Sequence, residues 1–173
     1  MSRLLPLVVA FLLAGCAQAG GGTMTATHEG GMPDDFTTTI VYRNGSVAPP
    51  HHFEWRLRVD RTQAELSWRP GYDEAEPPWV ESVAVTEEQR ADLYERLRTA
   101  AVLGGARSVD EGLSGGPTGS VEATVGGRTT RSGELGLSEN SQRALDQVQA
   151  AAEEVVPADV WNRMTDRQRT WGG

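Results

Sequence analysis

Residues 53–59 read "FEWRLRV". Phe53, Trp55, Leu57 and Val59 alternate with Glu54, Arg56 and Arg58. A strict period of two puts the apolar side chains on one face of an extended strand and the charges on the other. A few residues on, "AELSW" (64–68) repeats the alternation with Ala64, Leu66 and Trp68. The polar stretch 60–63 between them suits a hairpin, which sets Trp55 and Trp68 on one face of neighbouring strands. Cross-strand aromatic pairs of this kind stabilise a sheet by ~0.2–1 kcal/mol.

Upstream, "FTTTIVY" (36–42) is β-branched and aromatic and reads as a strand. Asn44-Gly45 is a turn signal, and Pro49-Pro50 lengthens the connection that follows. Downstream, "RPGYDEAEPPW" (69–79) is a loop and "WVESVAV" (79–85) a fourth strand. Thr86-Glu87-Glu88-Gln89 spells a capping box. It predicts a helix to about Leu103, with an apolar stripe of Leu93, Leu97 and Ala101 flanked by Tyr94 and Ala100, ended by Gly104-Gly105. "ARSVDEGLSGGPTGS" (106–120) is a glycine-rich loop. "VEATV" (121–125), Gly126-Gly127 and "RTTRS" (128–132) form a hairpin. A second helix is capped by Ser138 or Asn140, carries Ala144, Leu145, Val148, Ala152 and Val155 on one side, and stops at Pro157. Residues 158–171 predict a short third helix that docks through Val160, Trp161 and Met164. The expected class is α+β: an antiparallel sheet of five to six strands, two main helices packed on one face, and a short C-terminal helix.

The 173 residues carry 16 Lys+Arg, every one an arginine, against 24 Asp+Glu. An acidic chain lacks the basic footprint that nucleic acid requires and gains nothing from anionic lipid. Cys16 is the single cysteine, so no disulfide within the chain can brace the fold. A domain of about 140 residues buries enough surface to manage without one.

The N-terminus explains that cysteine. Arg3 precedes ten apolar residues, "LLPLVVAFLL" (4–13), then Ala14, Gly15 and Cys16. A charged start, a short apolar run and small residues describe a secretory signal peptide. The run is half of the ~20 residues that span a bilayer. Leu13-Ala14-Gly15-Cys16 resembles the lipobox of bacterial lipoproteins. The resemblance covers residues 1–16. It implies cleavage before Cys16, acylation of its thiol, and an extracytoplasmic protein held at the cell membrane, or the outer membrane where there is one. Two or more acyl chains give stable anchoring where one gives marginal binding. The expected organisation is a signal peptide over 1–15, a lipidated start and flexible tether over 16–33, and one domain over 34–173. A tether of this composition reaches about 20–25 Å.

His51-His52, with Asp34, Asp35 or Glu54, offers metal ligands, but neighbouring side chains on an extended chain point opposite ways. No zinc-type ligand spacing accompanies them, and a turn with exposed imidazoles is the expectation. Asp73, Glu74 and Glu76 lack the EF-hand alternation and read as a solvated loop. Tyr72 and Trp79 give that loop an aromatic edge suited to a protein contact. "GLSGGPTGS" (112–120) has neither the lysine nor the following helix of a phosphate loop, and Ser114 lacks the setting of a hydrolase nucleophile. Arg56, Arg58 and Arg69 share the outer sheet face, where Glu54 and Glu65 would neutralise them. Trp161 reads as a packing anchor and Trp171 as a less readily buried one.

No catalytic constellation, metal site or cofactor motif emerges. The expected function is a non-enzymatic, membrane-anchored envelope lipoprotein that binds a protein partner, with Cys16 as its lipid attachment and His51, His52, Glu54, Arg56, Arg58, Tyr72 and Trp79 as contact candidates. The alternative is an envelope small-ligand or metal binder, or a small extracytoplasmic enzyme.

Overall fold

A computed structural model describes residues 31–105 and 115–172. The lipobox-like stretch with Cys16, most of the expected tether, and residues 106–114 with Ser114 lie outside the described residues. The elements are β1 (Thr37–Arg43), a 3₁₀ turn (Pro49–His51), β2 (Phe53–Val59), β3 (Gln63–Pro70), β4 (Trp79–Ala84), α1 (Glu87–Thr99), β5 (Thr118–Val125), β6 (Arg128–Arg131), α2 (Glu139–Val155) and α3 (Ala158–Thr170). The fold is α+β. Its six strands form one antiparallel sheet in the order β4-β3-β2-β1-β5-β6.

The alternation read in "FEWRLRV" governs the architecture. Trp55, Leu57 and Val59 are buried while Arg56 and Arg58 are exposed. Register places Trp55 opposite Trp68, Leu57 opposite Leu66 and Val59 opposite Ala64. Ile40 of β1 and Val121 of β5 extend the same apolar face. Leu93 and Leu97 of α1, Leu145, Val148 and Ala152 of α2, and Val160 and Met164 of α3 complete one core with it. Each fully buried side chain of this size contributes roughly 1.5–3 kcal/mol relative to exposure.

Helix ends follow the caps. Thr86 and Gln89 form the capping box of α1. Ser138, not Asn140, caps α2, accepting from the Ser141 N–H at 3.3 Å. The C-terminus of α1 departs from expectation. The helix stops at Thr99, before Leu103, and Gly104-Gly105 has no part in ending it. Ala101 turns to φ 53°, the Ala101 N–H donates to Arg98 and the Val102 N–H to Leu97. This Schellman closure turns Val102 into the core. It leaves Ala101 exposed, and the buried helix stripe begins instead at Arg90. One Arg90 Nη donates to the Phe36 carbonyl at 2.7 Å. The third helix, Ala158–Thr170, falls within the expected 158–171, and its 13 residues equal those of α1.

Candidate functional site

A row of rings crosses the core face of the sheet. Tyr42 of β1 lies opposite Trp55 of β2, Trp55 opposite Trp68 of β3, and Trp68 opposite Trp79 of β4. Tyr42 and Trp55 stack with centroids 5.2 Å apart and planes at 11°. Phe53, on the same face of β2, stacks on Trp68 at 4.4 Å and 18°. Trp161 of α3 meets Trp55 edge-on at 5.3 Å and 71°.

α2 ends at Val155 and α3 starts at Ala158, with Pro157 as its N-cap at φ −54°. Between the two helices a cleft of about 500 Å³ opens onto the ring row. Tyr42, Phe53, Trp55 and Trp68 form its floor, Gln149 and Glu153 its α2 wall, and Trp161, Asn162 and Thr165 its α3 wall. Small-molecule sites occupy about 300–1,000 Å³ and combine apolar walls with a few polar groups. A second hollow of about 310 Å³ shares Phe53, Trp68 and Thr165 and continues along α3 to Trp171.

Gln168 fixes this arrangement. Its carboxamide oxygen accepts from Trp68 Nε1 at 2.9 Å, and its nitrogen donates to the Pro50 and His52 carbonyls at 3.2 and 3.1 Å. One buried side chain therefore ties α3 to β3 and to the 3₁₀ turn. Trp79 is covered from the other direction by the Arg167 guanidinium, 4.1 Å above its ring. Burial raises the Tyr42 phenol above its ordinary range, and the Asp146 and Glu153 carboxylates raise it further.

Of the contact candidates read from sequence none lines the cleft, and His51 lines the second hollow. His51 is exposed on the 3₁₀ turn, but His52 is buried, which departs from the expectation of two exposed imidazoles. The 3₁₀ turn draws the His52 N–H to the Ala48 and Pro49 carbonyls and turns its ring inward. That ring stacks on Tyr72 at 3.7 Å, its Nδ1 lies 3.0 Å from the Gly45 carbonyl, and its Nε2 lies 3.7 Å from Glu54 without a hydrogen-bond partner. Tyr72 is exposed and donates to the Val47 carbonyl at 2.8 Å. Glu54 pairs with Arg43 at 3.2 Å, an arginine that the alternation in "FEWRLRV" does not reach. Arg56 and Arg58 face solvent, and Arg69 is half-buried with an unpartnered Nε. Trp79 lies in the ring row rather than at an exposed loop edge. Asp73, Glu74 and Ala75 are exposed, and the Asp73 carboxylate accepts from the Ala75 N–H. Among the described residues no group of three His, Cys, Asp or Glu is placed to hold a metal ion.

Tyr42, Gln149, Glu153, Asn162, Thr165 and Gln168 escape the sequence reading. Two had a signal. Tyr42 follows Ile40 at the strand period, and Gln168 extends the stripe of Val160 and Met164. The polar walls had none, because a cleft between two helices depends on how they pack.

No protein-family model matches the chain, and no curated protein matches it. Among the described residues no helix is long and apolar enough to cross a membrane.

Proposed function

We propose that the protein is a lipid-anchored binding module of the cell envelope that holds a small ligand in the cleft between α2, α3 and the sheet. The observation that carries this reading is the cleft itself: a ring floor of Tyr42, Phe53, Trp55 and Trp68 beneath walls of Gln149, Glu153, Asn162 and Thr165. An apolar floor supplies burial and a sparse polar rim supplies orientation. Of the two functions expected from sequence, this favours ligand binding over a protein contact. Its lining holds no histidine and Glu153 as its single carboxylate, a set that suits binding better than acid–base chemistry. Leu13-Ala14-Gly15-Cys16 supports anchoring through an acylated Cys16, with the domain outside the membrane.

The test uses the mature chain isolated from its own membranes. Native mass spectrometry is expected to reveal a small molecule that co-isolates with the wild type and is lost from Trp161→Leu. Cys16→Ala is expected to leave the membrane fraction and keep the ligand. A Trp161→Leu chain that retains the same molecule overturns the cleft as the site. A Cys16→Ala chain that stays with the membrane overturns the anchor.

A further inference from the structure

We infer that the cleft selects an organic cation: an ammonium group at Glu153, carried on an apolar body that lies over the ring floor. The inference rests on the cleft being a ligand site and adds the charge class of the ligand.

The first observation is the charge of the lining. Glu153 is the one formally charged residue in it. Among the described residues Glu153 makes no ion pair: its contact is a hydrogen bond from Gln149 Nε2 at 3.0 Å, which orients the carboxylate from the same wall. The adjacent Glu154 is different, paired with Arg96 at 2.6 Å on the α1 side. The fold neutralises one of two neighbouring glutamates and leaves the one at the cleft.

The second observation is where the arginines of α3 go. Arg163 donates to Glu81 and Asp159, Arg167 lies over Trp79, and Arg169 pairs with Asp166. None of them lines the cleft. An anion entering it would meet Glu153 with no cation in the lining, and Arg169, at the adjoining hollow, is already paired with Asp166. The negative field reaches inward, since Asp146 and Glu153 both act on the Tyr42 phenol.

The third observation is the ring floor. A cation near an aromatic face is attracted by the ring quadrupole within ~6 Å of the centroid, more so when desolvated. The same sheet already uses this contact where Arg167 covers Trp79. A carboxylate beside aromatic rings binds an ammonium group by both routes. Its apolar body then displaces water from Phe53 and Trp55.

Three probes share one body and differ in head group: 2-phenylethylammonium, 2-phenylethanol and 3-phenylpropanoate. Calorimetric titration of the full mature chain in detergent is expected to rank them in that order, the ammonium about five- to tenfold above the alcohol. Glu153→Gln is expected to weaken the ammonium's binding and bring that ratio near one. Glu154→Gln, beside it but outside the cleft, is expected to keep the ratio. Equal binding of ammonium and alcohol to the wild type, lost from Trp161→Leu, overturns the charge assignment and leaves the cleft a ligand site. Binding of no probe, with no ligand co-isolated, overturns both readings.

Discussion

Gln168 and Trp68 are a hundred residues apart in sequence and 2.9 Å apart in the fold, indole N–H to carboxamide oxygen. The contact is buried, and the same carboxamide donates to the Pro50 and His52 carbonyls. β3 and the 3₁₀ turn with its C-cap therefore converge on one side chain of α3. Gln168→Leu keeps much of the volume but takes the partner from the Trp68 N–H and the Pro50 carbonyl, while the His52 carbonyl still accepts from the Gly71 N–H. An unsatisfied buried polar group costs about 1–3 kcal/mol. Partial access of water to the neighbouring hollow limits the total, and a loss of roughly 2–4 kcal/mol is expected in urea unfolding. Gln168→Glu restores the acceptor for Trp68 but sets a carboxylate against two carbonyls, so it is expected to be no better. A loss below ~1 kcal/mol for either variant would show that α3 is held by packing alone.

The Gly126-Gly127 turn predicts acid sensitivity. Both glycines have positive φ, 58° and 74°, as a two-residue hairpin turn of the primed type requires. Their N–H groups donate to the two oxygens of Asp35, across 91 and 92 residues of sequence. Those two bonds, the Gly127 bond first, hold the Asp35 carboxyl below its ordinary range. A carboxyl depressed on folding adds stability that is complete above its unfolded pKa, near 3.9. That stability is lost as pH falls through the lower folded value. Asp35 is half-buried at the surface, where solvent screening keeps its share modest, about 0.5–1 kcal/mol. The gap between wild type and Asp35→Asn in urea midpoint is expected to be largest at neutral pH and to close below about pH 4. Asp60, depressed by the Thr62 and Gln63 N–H groups, is common to both chains and cancels. A gap that is constant with pH would assign the effect to something other than the carboxylate.

What was legible in the sequence was whatever a period or a cap dictates. The alternation in "FEWRLRV" and "AELSW" gave β2, β3 and the Trp55–Trp68 pair in register. Thr86-Glu-Glu-Gln gave the start of α1. The strand order was less accessible. That β5 lies beside β1 and brings Gly119 opposite Tyr42 depends on pairing across some 80 residues, for which local pattern holds no information. The same holds for the site. His51, His52 and Glu54 drew attention because their chemistry is visible in one residue at a time. The cleft draws on Tyr42, Trp55, Trp68, Gln149, Glu153 and Trp161 from five elements, and each of them, taken alone, is a core or a surface residue. Arg90 shows the limit of stripe reading. It shares the helical face of Leu93 and Leu97, yet an arginine suggests solvent. Only the position of the Phe36 carbonyl explains its burial.

Ala101 predicts a stabilising substitution. It is the one described non-glycine residue at positive φ, 53°, and it is exposed. A left-handed alanine costs about 1–2 kcal/mol. Glycine removes that strain but loses about 0.4–1 kcal/mol through the greater freedom of the unfolded chain. The strain is the larger quantity, so Ala101→Gly is expected to gain roughly 0.5–1 kcal/mol. The Schellman bonds to Arg98 and Leu97 remain available to it. Thermal unfolding checks the sign. A lower midpoint for the glycine variant would mean that the α1 terminus relaxes the strain by another route.

Gly71 and Trp171 predict a coupling that a double-mutant cycle measures. Gly71 has φ 65°, its N–H donates to the His52 carbonyl at 2.8 Å, and a Cβ there would overlap the Trp171 ring. Trp171 is half-buried and forms the end of the second hollow along α3. Gly71→Ala meets two penalties: the left-handed strain of about 1–2 kcal/mol and the displacement of the indole. A total loss of about 2–3 kcal/mol is expected, with tryptophan emission shifted to the red as Trp171 enters water. In a Trp171→Ala background the overlap is absent, so the same substitution is expected to cost the strain alone. The difference between the two backgrounds, about 1 kcal/mol, is the steric coupling. Equal costs in both would show that Trp171 moves aside freely. The C-terminal tryptophan would then be a loose cover over that hollow rather than a fixed wall.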